Sequence, residues 1–282
     1  MKQVDFELTN ENYHSLEANK IWCSKSQFAD FFGIDGCEAR AIARINGEFE
    51  EPKSEAFTLG SYVDCILTEP DKVDAFIEEH PEIISSRGAT KGLLKAEYQR
   101  ANVMVDRVKK DKKMMSALSG EHQVIMKGTI FGLPFKVKMD SYIEHKAIVD
   151  LKTVESLYKG YYIPNRGRVT FVEYFDYILQ GAIYQEIVYQ NTGERLPFYL
   201  ACVSKEPIPD IALVGIDNKT LHDRIFGNEL SEGIARECEQ IMLLKRGEVK
   251  PIRCEHCAYC LPTKKITKPI HYLDLLGKVE ED

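Results

Sequence analysis

A mixed α/β (α+β) fold, a central mixed sheet flanked by helices, follows from three features of the 282-residue sequence. Helical spacing of apolar residues dominates the first 120 positions. Period-two alternation takes over from Glu121, and beyond residue 153 helical and strand patterns interleave. No internal period suggests a repeat architecture. The length suits one domain over 1–282. It divides into a helical N-terminal part (24–120), a core (121–247) and a cysteine-rich C-terminal segment (248–282).

Residues 1–22 read as a leader strand or loop that approaches the first helix. Ser24-Lys25-Ser26 offers an N-cap. Phe28, Phe31 and Phe32, then Ala39, Ile42 and Ala43, keep helical spacing, and Gly33 and Gly36 break it into two short helices. Leu59, Tyr62, Val63, Ile66 and Leu67 form one apolar stripe, so 57–67 is a predicted helix ended by Glu69-Pro70. A short helix over 71–80 stops at Pro81. One long helix is expected over 93–118, and its Arg107, Lys109, Lys110, Lys112 and Lys113 read as a solvated face.

Residues 121–131 alternate as a strand, Gly132-Leu133-Pro134 turns the chain, and Phe135, Val137 and Met139 alternate with lysines up to Asp140. Ala147-Ile148-Val149 opens the next strand. The segment 158–168 is turn-rich and mixes aromatic with basic residues, a composition suited to stacking on bases and meeting phosphates. One helix is expected over 171–189, apolar strands over 197–203 and 211–214, a covering helix over 218–246 and a short docking helix over 272–276. Cys202 and Cys238 fall inside these elements and read as core residues.

Candidate chemistry gathers at Asp140, Asp150 and Lys152. Alternation in a strand sends Asp150 and Lys152 to one face and Leu151 to the opposite layer. If the chain folds back so that Asp140 lies alongside, two carboxylates and an ammonium converge. Carboxylates that close repel each other unless a cation sits between them, and a hard divalent ion with oxygen ligands suits the position. Lys152 would then hold or activate a water, or neutralise charge developing on a phosphate. Gln180 and Tyr184, four apart, share a helix face. Near the C-terminus, Cys254-x2-Cys257-x2-Cys260 curls three thiols around one centre, as loops that bind iron–sulfur clusters do, with a fourth ligand needed from elsewhere. Zinc held by three cysteines with His256 or Cys37 is the rival.

The formal net charge of −7 argues against indiscriminate binding to polyanions, so a nucleic-acid partner needs a local basic groove or an assembly. The opening Met-Lys-Gln-Val-Asp-Phe-Glu-Leu has no apolar core of a leader peptide, and no run reaches the roughly 18 apolar residues of a membrane span. We expect a cytoplasmic protein without membrane contact, whose eight cysteines are not a disulfide framework.

Asp140 followed by Asp150-Leu151-Lys152-Thr153 resembles the core of the PD-(D/E)xK nuclease superfamily. The wording is similar to its RecB-like and exonuclease VIII (RecE)-like branch, which includes phage and prophage exonucleases. Ser26 to Ala41, with Cys37, is similar to that group's "S-x-x-x-F…C-P-x-A" opening. Gly60-Ser61-x-x-Asp64 resembles its "G-S-x-x-H" helix, with Asp64 where the family carries a metal-proximal histidine. Tyr177-x-x-Gln180-x-Ala182-x-Tyr184 resembles its "Y-x-x-Q-x-A-x-Y" helix. The resemblance covers about residues 24–265.

It implies a PD-(D/E)xK core and a metal-dependent DNA exonuclease. Asp64, Asp140, Asp150 and the Leu151 carbonyl would bind Mg2+ or Mn2+, Lys152 would orient or activate the attacking water, and Gln180 and Tyr184 would position the strand. By the same resemblance Cys37 joins Cys254, Cys257 and Cys260 around a [4Fe-4S] cluster that staples the chain's ends, with Zn2+ as the alternative. Relatives of this kind digest one strand of linear double-stranded DNA from its 5′ ends, several as homo-oligomeric rings that hand the product to a single-strand annealing protein for recombination. Other readings are an iron–sulfur nuclease of CRISPR adaptation type, a catalytically silent DNA-binding scaffold and a redox or zinc-ribbon interaction module.

Overall fold

Short polar side chains start most of the N-terminal helices in the computed structural model, which describes residues 6–51, 54–164 and 166–272. Ser15 caps α1 (Leu16–Ile21), Ser24 caps α2 (Lys25–Phe32) and Ser54 caps α4 (Glu55–Thr68), each accepting a backbone N–H three residues on. Between them α3 (Glu38–Asn46) begins at Cys37, whose side chain makes no cap bond, and ends at left-handed Gly47. Then comes α5 (Val73–Glu79). The long helix expected over 93–118 is two helices, α6 (Ala96–Lys109) and α7 (Lys112–Ala117). Asp111 breaks it, because its carboxylate accepts from the N–H groups of Lys113 and Met114 at 2.9 and 3.0 Å and so starts a new helix.

The hairpin of β1 (Val124–Ile130) and β2 (Leu133–Met139) turns on Phe131-Gly132, both with positive φ, 47° and 79°. A two-residue hairpin loop of this kind matches the natural strand twist. The turn thus falls earlier than Gly132-Leu133-Pro134, and Pro134 sits inside β2. The same register recurs further along as the isolated bridge of Glu121 with Tyr142, but the ladder is interrupted between. There Gln123 takes a φ of 55°, and His122 donates from Nδ1 to the Asp140 carbonyl at 2.8 Å. The successive strands expected over 121–131, up to Asp140 and from Ala147 are therefore divided between two sheets, β1–β2 on its own and a second sheet entered through β3 (Ser141–Ile143).

That second sheet has the order β3, β4 (Ala147–Val154), β7 (Phe198–Ser204), β8 (Ile211–Ile216), with β4 and β7 parallel and the other pairs antiparallel. It is the central mixed sheet. A parallel pair needs a crossover. This one carries the small hairpin β5 (Tyr161–Ile163) and β6 (Gly167–Val169), then α8 (Phe171–Tyr174) and α9 (Tyr177–Thr192). The turn-rich 158–168 is thus largely an ordered hairpin, with Tyr161 stacked on Tyr174 at 4.7 Å. The single helix expected over 171–189 breaks at Asp176, which has a φ of 49°, caps Leu179 N and pairs with Arg224 at 2.7 Å. Likewise 218–246 is α10 (Asn218–Phe226) and α11 (Ala235–Lys245), separated by a turn in which Gly227 and Gly233 take φ of 82° and 71°.

Alternate residues of β4 feed two cores. Ile148 and Val154 pack with α9 and β2, while Ala147, Val149 and Leu151 pack with α4 and α6. Among the described residues no helix is long and apolar enough to cross a membrane. The leader at 1–5 and all but the first residue of the expected helix over 272–276 lie outside the described residues.

Close approach of α9 to β7 depends on Gly181, where a Cβ would meet the buried Phe198 ring at 2.5 Å and Leu221 at 3.0 Å. Gly181→Ala should lower unfolding stability by about 1–3 kcal/mol in spite of alanine's better helix propensity. A denaturant midpoint equal to or above wild type would contradict this packing.

Candidate active site

Asp150 and Lys152 lie on the α9 face of β4, and Leu151 is buried in the other layer, as the alternation requires. β3 pairs only with Ala147, Ile148 and Val149, so the outer edge of β4 has no strand partner in this sheet from Asp150 onward. One step beyond the Ser141–Val149 pair, Asp140 stands opposite Asp150. Its Oδ2 accepts the Leu151 N–H at 2.8 Å, in place of the missing strand.

Two helices complete the site from opposite layers. On α9, Gln180 donates from Nε2 to Asp150 Oδ1 at 2.6 Å, and Tyr184, one turn further, donates to the Lys138 carbonyl at 3.0 Å. On α4, Gly60 has no side chain to hold the helix off β4; a Cβ there would stand 3.2 Å from Thr153 Oγ1. One turn later Asp64 accepts from Thr68 Oγ1 and from Gln123 Nε2, both at 3.3 Å. The ammonium of Lys152 lies 2.5 Å from Asp150 Oδ2 and 4.9 Å from the centre of the Tyr177 ring.

The electrostatics bind these groups into one unit. Burial, then repulsion from Asp150, pushes the Asp64 carboxyl up to about 6. Burial, then Asp150 and Asp64, holds Asp140 well above the usual carboxylate range. Burial alone would lower Lys152, but attraction to Asp150 and Asp140 outweighs it and keeps the amine well above its ordinary value. Asp150 is 2% exposed, and its Oδ2 is buried without a directed hydrogen bond, although it touches the ammonium. Three clustered carboxylates, two of them raised by burial and by their neighbours and the third with a buried oxygen that meets only the ammonium, have the chemistry of a site for a hard divalent cation.

Two contributors escaped sequence reasoning. Lys25 donates to the Phe175 carbonyl at 2.7 Å and faces the Tyr177 ring at 5.4 Å, and burial together with repulsion from Lys152 brings its amine down to about 8. In the sequence it is merely the middle of a capping triplet. Gln123 reads as one residue of an alternating strand, and only its left-handed backbone turns it to Asp64.

Cys37, at the start of α3, meets Cys254, Cys257 and Cys260, and all four ligand atoms lie within 4.8 Å of one another. They are the one such group of three or more among the described residues, so the aspartates stand wider apart. His256 is not part of the group; its Nδ1 meets the Cys254 carbonyl at 2.6 Å. Cys202 and Cys238 are buried in the main core, as their positions suggested.

Residues 24–263 match a family model described as a PDDEXK-like domain of unknown function (DUF3799). The crystal structure of a protein from Eubacterium rectale, provisionally named an exonuclease, is similar with a TM-score of 0.87 and 39% identity over 97% of this chain and 100% of that one. The structure of SSO0001, at a TM-score of 0.31 and 12% identity over 80% of this chain and 96% of that one, is too distant to bear on the fold. No curated protein matches the chain.

The raised carboxyl of Asp64 makes stability depend on pH. Its proton is held more tightly in the folded state than in the unfolded chain, where 3.8 is usual, so stability is lost as pH rises from that value to about 6. With divalent ions chelated, Asp64→Asn should melt close to wild type near about pH 4 and above it by about pH 7. A gap in Tm that does not change with pH would refute the shift.

Proposed function

The chain belongs to the PDDEXK-like family, and from that premise we propose a divalent-metal-dependent deoxyribonuclease that digests linear duplex DNA from its ends. The observation that carries this reading is the meeting of Asp64, Asp140, Asp150 and Lys152 at the unpaired edge of β4. The similar protein's provisional name of exonuclease supports the choice of an end-directed activity.

Asp64, Asp140 and Asp150, with the Leu151 carbonyl, would hold Mg2+ or Mn2+. A bound ion of this kind supplies a polarised water and stabilises negative charge on the phosphate and the leaving oxygen. Gln180 fixes the Asp150 carboxylate, so that one oxygen is committed to the protein and the other is presented to the site. Lys152 keeps a positive charge beside the reacting phosphate and orients the water. Lys25 and Tyr177 extend this cationic side, and Tyr184, with Gln180, shapes the floor under the strand.

Digestion of one strand in the 5′-to-3′ direction, assembly as a homo-oligomeric ring and delivery of single strands to an annealing protein in recombination complete the proposal. They are supported by the likeness of the Asp150-Leu-Lys-Thr and Gln180/Tyr184 motifs to the RecE-like branch. A ring also answers the acidic charge of −7, because DNA threaded through an assembly needs only a local basic lining.

End-labelled linear duplex and covalently closed circles, incubated with Mg2+ or Mn2+ and with EDTA, test the reading. Linear duplex should be shortened from its ends, circles should survive, EDTA should stop digestion, and Lys152→Ala or Asp150→Asn should lower the rate by at least about 10²-fold. Wild-type protein inert with both metals, or a Lys152→Ala variant of undiminished rate, would overturn it.

A further inference from the structure

The [4Fe-4S] cluster implied by the family resemblance does not fit the four cysteines as they stand. All four sulfurs lie within 4.8 Å of one another, and Cys37 Sγ is 3.7 Å from Cys260 Sγ. Thiolates that share one tetrahedral ion at about 2.3 Å each are about 3.8 Å apart. In a four-iron cluster each thiolate binds its own iron at a different corner of a cube, which spreads the sulfurs to roughly 6 Å or more. The sulfurs here enclose room for one ion and not for a cube. From this spacing we infer that Cys37, Cys254, Cys257 and Cys260 form a closed, tetrahedral, single-ion site for Zn2+.

The surrounding backbone fixes the small opening. The N–H of Ile252 donates to Glu38 Oε2 at 2.7 Å, and the N–H of Ala39 donates to the Ile252 carbonyl at 3.1 Å. These bonds clamp the segment leading into Cys254 against the first turn of α3, next to Cys37. The Cys257 N–H donates to Cys254 Sγ at 3.3 Å, a bond that favours the thiolate as ligand. The two x2 spacings do not decide the matter, because zinc sites and clusters share them. Four protein ligands leave no open position, so the ion is structural and redox-inert, tying residue 37 to residues 254–260.

The test is the metal content of full-length protein purified without oxygen and then incubated, still without oxygen, with ferrous iron and sulfide. We expect about one zinc per chain and no absorption band near roughly 400 nm before or after that incubation. Replacement by cobalt should give the intense visible bands of tetrahedral thiolate coordination, and Cys260→Ser should bind less than stoichiometric zinc and melt at a lower temperature. About four irons per chain with the visible band, in either preparation, would overturn the inference. So would a metal-free protein whose melting is unchanged by added zinc or by chelator. None of these readouts depends on DNA cleavage.

Discussion

A carboxylate buried in the wall of a sheet needs compensation, and Asp150 sets the terms for everything around it. Removing an ion from water costs several kcal/mol unless attraction and hydrogen bonds replace the lost hydration. The replacements are the Gln180 amide and the Lys152 ammonium. Alternation along β4 puts Lys152 on the same face as Asp150, and the parallel pairing of β4 with β7 forces the crossover that returns α9 across that face. Gly181 lets α9 settle close enough for the neighbouring Gln180 to reach. The packing of the main core and the geometry of the site are therefore the same arrangement viewed from two sides.

Asp64 and Asp140 make that arrangement deliberately unbalanced in charge. One ammonium, in contact with Asp150, faces three carboxylates, and Asp64 and Asp140 are pushed upward by burial and then by the charge of Asp150. Such a cluster persists only where a rigid frame holds its members. The frame is the interrupted ladder at Gln123 and Asp140, the seating of α4 through Gly60, and the bond from Leu151 N to Asp140. Interruption of the ladder has a direct use here: an unbroken hairpin would spend the Asp140 region on strand pairing, whereas the break frees its carboxylate for the edge of β4.

The sequence made some of this legible and hid the rest for a physical reason. Short periods carry face information, so Asp150 with Lys152 and Gln180 with Tyr184 could be placed together from spacing alone, and the stripe of Leu59, Tyr62, Val63 and Leu67 revealed α4. Interactions between distant residues carry no such local mark. Asp176 looks like an ordinary helix residue until Arg224 draws it into a cap, and Asp111 likewise ends one helix and starts the next. Lys25 becomes part of the site only because α2 packs beneath the break at Phe175. The joining of Cys37 to the C-terminal loop was legible by resemblance, but the size of the opening between the sulfurs was not, since a spacing of two residues permits either a single ion or a cluster.

Lys152 shows why the charge imbalance matters for chemistry. Two opposing influences act on its amine: burial favours the neutral form, and Asp150 and Asp140 favour the ammonium strongly enough to prevail. The carboxylates, not the pocket itself, keep the proton in place. Neutralising their charge with a divalent cation removes that support and leaves burial, so the amine should become more acidic as the site fills. Lys25 illustrates the same burial with less help from acids, since its amine already falls to about 8. Lys152 is thus held as a cation by the acids beside it and not by its buried surroundings.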